Sequence, residues 1–221
     1  VSYVWTPPTG LNNPNISNPV ATITASTIYT VTGTDANGCV NTDTAAAVVY
    51  QLSIPICMVT VDTVSVYNQI VWDKPVATNI DSFRIYREIT SNNFQVIGVV
   101  PYSAYSVYVD SVYLPLADPN NTNYRYKISV IDTCNAEGPL SAFHRTIFLQ
   151  ANQGVGNVVN LNWITYQGNL VNQYYIYRDT VGTGNLDLID SVPGTNTVYT
   201  DNNPSQNVTT LRYVLGVDWN V

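Results

Sequence analysis

Two stretches of the chain repeat the same residue types in the same order, and this repeat limits the fold more than any other feature. Each copy carries a tryptophan, then an Ile-Tyr-Arg triplet, then a tyrosine two residues before an aspartate. The same 91-residue spacing separates the members of three landmark pairs, which are Trp72 and Trp163, Arg87 and Arg178, and Asp110 and Asp201. Three landmarks at one spacing predict a tandem repeat of one domain.

The length of 221 residues leaves room for one large domain or for two or three small ones, and the repeat favours small ones. Within the first copy, short runs of β-forming residues alternate with turn signals, and the prolines fall between the runs. These runs predict strands over 58–65, 69–72, 82–88, 94–100, 107–110, 124–132 and 142–149. Seven short strands at this spacing predict an antiparallel β-sandwich.

The remaining parts of the chain follow the same all-β pattern but hold fewer predicted strands. The second copy repeats the first through 211–217, and no seventh strand follows. Residues 1–50 hold three or four predicted strands and a tight turn at 35–38, which is half of a sandwich. We therefore predict tandem antiparallel β-sandwiches with a partial N-terminal domain at 1–50. A full sandwich should follow at 54–148, and a sandwich that lacks its last strand should follow at 149–221.

Charge and hydropathy argue against nucleic acids and membranes as partners. The net charge is −7, and the 8 Lys and Arg residues are scattered singly. A nucleic-acid binder needs clustered basic residues to replace phosphate counterions, and anionic membranes attract the same clusters. No apolar run approaches the roughly 20 residues that a membrane-spanning helix requires.

Catalytic and metal-binding patterns are not evident, so we expect neither enzymatic activity nor a cofactor. The chain has a single histidine, His144, which leaves most histidine zinc sites without ligands. A lone histidine on a strand is usually a packing or an exposed residue. The turn sequences 118–121 and 201–203 offer oxygen ligands to calcium, but Asp and Asn also form ordinary turns, and we favour turns.

Three tyrosines on predicted strands suggest a carbohydrate-stacking platform as an alternative to a structural role. Tyr86, Tyr175 and Tyr177 are expected to be exposed, and aromatic side chains are enriched in binding surfaces. Tyrosine is also a good strand former, and no pocket-forming insertion accompanies these residues. We favour the structural interpretation.

The strings of residues resemble two known families. Tyr3 to Pro7, Thr27 to Thr32 and Asp35 to Cys39 resemble the second half of PKD-like, immunoglobulin-like repeats. The tryptophan, the Tyr-Arg strand and the Tyr124 to Val130 strand resemble fibronectin type III domains. Both kinds of repeat are found in large secreted surface proteins of Bacteroidetes, of the type IX secretion and gliding-associated kind.

The fibronectin resemblance implies roles for particular residues. Tyr124 occupies the position of the family's tyrosine corner, so its hydroxyl should bond to backbone, while Tyr126, Ile128 and Val130 should line the core with it. In such a sandwich the start of the first strand and the loop after the sixth lie at one pole. Cys57 and Cys134 could therefore form a disulfide, and the alternative is two free thiols. Cys39 is expected to be unpaired, because its usual partner in PKD-like repeats would precede this chain.

The resemblance to exported Bacteroidetes proteins also implies O-glycosylation at Asp-Ser/Thr-apolar triplets. The candidate acceptors are Thr44, Thr63, Ser111, Thr180 and Ser191. Such short patterns also arise by chance in a chain rich in Thr and Val. An intact mass of the native protein without added hexose would contradict this expectation.

These observations predict a non-catalytic structural or adhesive segment of a large exported protein, located at the cell surface or outside the cell. The alternative is an accessory carbohydrate-binding module attached to an extracellular enzyme. The expected partners are other domains of the same long chain. Further partners would be glycans or neighbouring subunits that add a strand to an incomplete sheet and so build a fibre. Ends that were simply cut are the alternative explanation for incomplete sheets.

Overall fold

The computed structural model describes residues 1–49, 52–62, 66–76, 79–179, 184–204 and 211–219, and the regular structure within them is entirely strand. The chain divides into two compact units, Val1–Gln51 and Leu52–Val221. The strands of the first unit are β1 (Ser2–Thr6), β2 (Thr27–Thr34) and β3 (Val40–Ala47). Those of the second unit are β4 (Ile56–Val61), β5 (Asn68–Trp72), β6 (Ile80–Thr90), β7 (Asn93–Pro101), β8 (Val107–Val109), β9 (Arg125–Asp132), β10 (His144–Arg145), β11 (Phe148–Gln153), β12 (Val159–Ile164), β13 (Val171–Asp179), β14 (Leu186–Pro193), β15 (Val198–Asp201) and β16 (Arg212–Trp219).

The first unit is an antiparallel sheet in the order β1-β2-β3. The segment between β1 and β2 is held to the sheet by aromatic side chains. Tyr29 is buried and its hydroxyl donates to the Thr9 carbonyl at 2.8 Å, while Trp5 Nε1 donates to the Ile16 carbonyl at 2.9 Å. The predicted tight turn lies between β2 and β3, where the Gly38 N–H donates to the Asp35 carbonyl at 3.2 Å.

The second unit contains two antiparallel β-sandwiches, and these confirm the predicted fold class. In the first sandwich, the sheet β4-β5-β8 faces the sheet β10-β9-β6-β7. In the second sandwich, the sheet β11-β12-β15 faces the sheet β14-β13-β16. In each sandwich the first, second and fifth strands form one sheet, and the third, fourth and sixth strands form the other. In the first sandwich β10 adds a seventh strand beside the sixth, and this strand order is the fibronectin type III-like arrangement. Within the described residues, β16 pairs only with β13.

Equivalent residues of the repeat build the two cores. Trp72 packs on Phe83 with ring centroids 5.4 Å apart, and Trp163 packs on Tyr174 at the same 5.4 Å. All four side chains are at least 95% buried. Each tryptophan comes from the second strand of its sandwich and each partner from the third, so the pair joins the two facing sheets. The repeat therefore records two copies of one sheet-to-sheet contact.

The predicted strand over 142–149 is wrong in its second half. Only His144–Arg145 pair with β9, and Phe148 begins β11, where Leu149 lies opposite Trp163. The reason is that Leu149 packs in the second core, and Ile147 contacts both cores. The apolar residues of this stretch therefore join the two sandwiches instead of extending one strand.

The predicted tyrosine corner is present in the first sandwich. The Tyr124 hydroxyl accepts the Asp118 N–H at 3.0 Å, and the Tyr124 N–H donates to Thr146 Oγ1 at 2.8 Å. Tyr126, Ile128 and Val130 follow on the same face of β9 and are buried, as their two-residue periodicity predicts. The hydroxyl of Tyr124 thus pairs a backbone donor in the segment that leads into β9.

Replacing Tyr124 by Phe should lower the stability of the first sandwich by about 1–3 kcal/mol, because the Asp118 N–H loses its partner. The measurement is urea unfolding of the variant and of the unchanged protein. Tyr105→Phe is the matched control, since Tyr105 is 89% exposed. Equal destabilisation by the two substitutions would contradict the role of the Tyr124 hydroxyl.

Candidate functional site

The landmarks of the repeat form a buried charged cluster in the first sandwich. Arg87 on β6 places its Nη1 2.6 Å from Asp110 Oδ2, just after β8, and the Tyr126 hydroxyl donates to the same oxygen at 2.8 Å. Asn68 Nδ2 donates to the Tyr126 hydroxyl at 3.0 Å. The side chains of Arg87 and Asp110 are 2% and 0% exposed. Each of the four side chains has a partner within the cluster, and the low dielectric of the core strengthens these bonds, although Asp110 Oδ1 and Asn68 Oδ1 are buried without one.

The second sandwich contains the same cluster in a more open form. Arg178 Nη1 lies 2.5 Å from Asp201 Oδ2, and the Tyr213 hydroxyl donates to that oxygen at 2.8 Å. Arg178 also donates to the Asn203 carbonyl at 2.8 Å. The side chains of Arg178 and Asp201 are 13% and 6% exposed. The carboxylate that could have served calcium is therefore engaged by an arginine, a tyrosine and the N–H of Asn203.

The electrostatics of both clusters favour a structural role. Burial, followed by the neighbouring Asp110 carboxylate, raises the pKa of Tyr126 far above its ordinary value. Burial and the hydrogen bond to Asp201 raise the pKa of Tyr213 in the same direction. Each hydroxyl consequently keeps its proton and remains a donor at physiological pH. Groups held in one protonation state by buried partners cross-link strands and do not shuttle protons.

The sequence indicated these arginines and aspartates as landmarks but not as partners. In both sandwiches the bonded arginine and aspartate are 23 residues apart. That equal spacing between opposite charges was the available signal. Tyr126 was predicted only to line the core, because two-residue periodicity shows which face a side chain occupies and not which charged pair its hydroxyl meets.

A second cluster joins the two sandwiches and is centred on Tyr166, in the loop between β12 and β13. The Tyr166 hydroxyl accepts the Val59 N–H of β4 at 2.8 Å and lies 2.7 Å from His144 Nδ1. In the same loop, Asn169 Nδ2 donates to the Cys57 carbonyl at 2.6 Å. The loop of one sandwich thus bonds to the edge strand of the other. We call this cluster the joint.

Two further contacts complete the joint. The N–H of Arg145 donates to the Gln167 carbonyl at 2.8 Å, and the N–H of Gln167 donates back at 3.2 Å. Trp219 on β16 packs on the Tyr166 ring with centroids 4.5 Å apart. The Tyr166 loop therefore lies between β10 and β4, where the two sheets of the first sandwich meet. Capping the edge of β4 also protects it from pairing with another chain.

Gly168 gives the loop its shape at the joint. Its φ is +128°, a region that L side chains rarely adopt, and a Cβ placed there would lie 2.4 Å from the His144 ring. Only glycine allows the backbone to pass this close to the imidazole. His144 itself is buried, at 4% exposure, and burial lowers its pKa below the ordinary value.

A cleft of about 290 Å³ lies beside the joint. It is lined by β4, the segment at Thr146 and Ile147, the Tyr166 ring, and Leu215, Gly216, Val217 and Trp219 of β16. No ionisable carboxylate, lysine or arginine is among these lining residues. Among the described residues no group of three or more His, Cys, Asp or Glu side chains could hold a metal ion. The cleft follows the outer edge of β16, and strand addition there stays a prediction.

The structure does not form the predicted Cys57–Cys134 disulfide. Both residues are free thiols, as is Cys39. Cys57 is half-buried at the joint, and burial followed by the Asp73 carboxylate raises its pKa. Cys134 is exposed in the turn after β9, where the Asp132 carboxylate accepts the N–H groups of Cys134 and Ala136. Pairing of the two thiols stays a prediction.

The candidate glycosylation sites differ in their exposure. Thr44 is exposed on β3, whereas Ser111 and Ser191 are half-buried, and Thr63 and Thr180 lie outside the described residues. Of the five, Thr44 offers its hydroxyl most openly to a transferase. Modification of any of these residues stays a prediction.

The three tyrosines of the proposed stacking platform do not lie together. Tyr86 belongs to the first sandwich, is half-buried, and donates its hydroxyl to Glu137, which also accepts Ser129 Oγ at 2.6 Å. Tyr175 and Tyr177 belong to the second sandwich and are also half-buried. A Cβ at Gly216 would lie 2.9 Å from the Tyr177 ring, so this ring lies across the neighbouring strand. Only a pair of the three tyrosines could therefore form one surface.

Comparisons with known proteins place the chain beside fibronectin arrays. Neither a protein-family model nor a curated protein matches the sequence. A two-domain fibronectin type III segment of chicken tenascin is 11% identical, with 76% of this chain and 98% of that chain covered and a TM-score of 0.31. The central fibronectin-III array of RIM-binding protein is 11% identical, with 77% of this chain and 60% of that chain covered and a TM-score of 0.34. The FN1–FN3 domains of chicken CNTN1 are 11% identical, with 87% of this chain and 71% of that chain covered and a TM-score of 0.31.

At these identities and TM-scores the likeness carries no argument about function. The fold class stands instead on the strand order and register of the chain itself. Within the described residues, no helix has the length and apolar character needed to cross a membrane.

Replacing Arg87 by Met should destabilise the first sandwich by about 3–5 kcal/mol, because Asp110 would be left as a buried unpaired charge. Arg84→Met is the control, since the Arg84–Glu137 pair has side chains 36% and 31% exposed and should contribute less than about 1 kcal/mol. Chemical unfolding of both variants provides the comparison. If the two substitutions cost the same, the buried cluster is not the main polar cross-link of this sandwich.

Proposed function

We propose that the chain is a non-catalytic structural or adhesive segment of a large exported protein, in which two sandwiches act as one stiff spacer. The observation that carries this proposal is the joint. Its tyrosine hydroxyl, side-chain amide and backbone bridge connect the two domains, and Trp219 packs on the Tyr166 ring from within the second sandwich. Domains that share such bonds move together, whereas domains joined only by a linker move independently.

The chemistry of the described residues supports a mechanical role. The strongest polar interactions are the two Arg–Asp–Tyr clusters, and both are directed inward, where they connect strands of one sandwich. The single histidine is buried in the joint and bonded to Tyr166. These groups hold sheets and domains in register, so their hydrogen-bonding capacity is used within the fold.

Location outside the cell or at its surface is supported by sequence features. The 10% charged residues and the many Asn and Thr side chains suit a solvated surface with little formal charge. The resemblance of residues 1–50 to PKD-like repeats, and of the sandwiches to fibronectin repeats, supports an origin in exported Bacteroidetes proteins. Other domains of the same chain would then be the first partners, arranged as 1–50, 54–148 and 149–221.

If the joint is stiff, the two sandwiches should share one alignment tensor in residual dipolar coupling measurements. Tyr166→Phe should separate the tensors, because the Val59 N–H loses its acceptor, at a cost of about 1–3 kcal/mol. Tyr175→Phe is the matched control, since Tyr175 lies half-buried on the outer face of the same sandwich. Different tensors in the unchanged protein would contradict the stiff spacer.

A second candidate function is an accessory carbohydrate-binding module. It is favoured by one observation, the neighbouring Tyr175 and Tyr177 rings on the outer face of β13, with Gly216 opposite Tyr175 on β16. Neighbouring aromatic rings on one face of a sheet suit the apolar face of a sugar ring.

Retention of the protein on insoluble glycans tests this candidate. Joint replacement of Tyr175 and Tyr177 by Ala should abolish retention, because the stacking surface disappears. Tyr105→Ala, which removes an exposed tyrosine elsewhere, should leave retention unchanged. Failure of the unchanged protein to bind any glycan tested would eliminate this candidate and leave the structural function intact.

A further inference from the structure

The hydrogen bonds of Tyr166 determine where the proton of the joint lies. The Tyr166 oxygen accepts the Val59 N–H at 2.8 Å and lies 2.7 Å from His144 Nδ1. A backbone N–H cannot accept, so Val59 must be the donor in the first of these bonds. For Tyr166 to donate in the second, His144 Nδ1 must carry no proton. A neutral imidazole without a proton on Nδ1 is therefore the state in which both the oxygen and the proton of the Tyr166 hydroxyl are bonded.

We propose that the joint is a proton-sensitive clasp, in which protonation of His144 releases the Tyr166 loop and frees the two sandwiches to move independently. A protonated Nδ1 donates instead of accepting, so Tyr166 would face two donors, His144 and Val59. Its hydroxyl proton would then lose its acceptor. The same change places a positive charge against Gly168 and the Tyr166 ring, in a buried site.

The surroundings of His144 offer no compensation for that charge. On β9, which pairs with β10, Tyr126 is bonded to Asp110, Arg125 is directed at Glu88, and Lys127 lies over Phe94. On β10 itself, Arg145 donates to the Thr165 carbonyl. On β4 the titratable group is Cys57, and in the loop it is Tyr166.

None of these neighbours is a carboxylate that contacts His144, and none of the ion pairs found among the described residues includes it. A protonated histidine would therefore be a buried charge without a partner, which is costly. The direction of the pKa agrees, since burial lowers the pKa of His144 from its ordinary value.

The pH range of the effect follows from that direction. A histidine with a lowered pKa binds fewer protons in the closed joint than in the open one. The joint is therefore fully stable above the ordinary histidine pKa of about 6.5 and weakens as pH falls below it. The loss is complete once pH is below the lowered pKa of the closed state. A mildly acidic environment should then loosen the spacer while each sandwich stays folded.

Hydrogen exchange of the Val59 amide in the full chain tests the clasp. Its protection, corrected for intrinsic exchange, should fall by about fivefold or more between about pH 7.5 and about pH 5, the lower end of typical coupling between sites. The Asp118 amide is an internal control, since it also donates to a tyrosine hydroxyl, Tyr124, with no histidine beside it. Protection of Asp118 should stay constant over the same range.

Two variants identify His144 as the titrating group. His144→Asn offers Tyr166 an oxygen acceptor that does not titrate, so Val59 should stay protected at both pH values. Tyr166→Phe should lose protection of Val59 at both pH values and should show no further change on acidification. An equal acid-induced loss in the unchanged protein and in His144→Asn would overturn the proposal.

The clasp relies on the same joint as the proposed spacer function, but the experiment distinguishes their failures. Protection of Val59 that is high at both pH values would reject the clasp and leave the stiff spacer standing. An unprotected Val59 amide at pH 7.5 would instead reject the stiff joint itself. If Asp118 loses protection together with Val59, the acid effect is unfolding of the sandwich, and the clasp is also rejected.

Discussion

The interaction on which the rest of the second unit depends is the buried bond between an arginine of the third strand and the aspartate at the end of the fifth. Arg87 and Asp110 make it in the first sandwich, and Arg178 and Asp201 make it in the second. Because the two strands belong to facing sheets, the bond fixes how the sheets meet. Burial makes it specific, since an incorrect register would leave a charge unpaired in the core. Each pair recruits a tyrosine from the sixth strand, so three strands are tied at one point.

The joint extends the same principle from one sandwich to the next. A polar side chain from a loop, Tyr166, satisfies the edge of a neighbouring sheet, and apolar contacts from Trp219 surround it. The edge of β4 would otherwise present an unpaired backbone donor to solvent or to another chain. Placing the only histidine of the chain at this contact couples domain orientation to a proton. The two sandwiches are thus one compact unit because a loop of the second completes an edge of the first.

Much of the fold was accessible from local pattern, and most of the joint was not. Alternating apolar residues on β9 and turn residues between strands report directly on local geometry, so strand positions and the Tyr124 corner could be predicted. The extent of the strand at 142–149 could not, because its apolar residues are shared by two cores. A platform of Tyr86, Tyr175 and Tyr177 was the less favoured alternative, and the predicted domain bounds already separated Tyr86 from the other two. That Tyr177 lies across Gly216 follows only from the pairing of β13 with β16.

By itself, the sequence determined the all-β class, the duplication and the core-facing side of β9, because these follow from spacing and periodicity along the chain. Only the tertiary structure decided that Arg87 meets Asp110, that His144 meets Tyr166, and that Gly168 must pass against the imidazole. These contacts join residues from different strands, and for the joint from different sandwiches. Their chemistry depends on direction and burial, and both of these arise only when the sheets pack together.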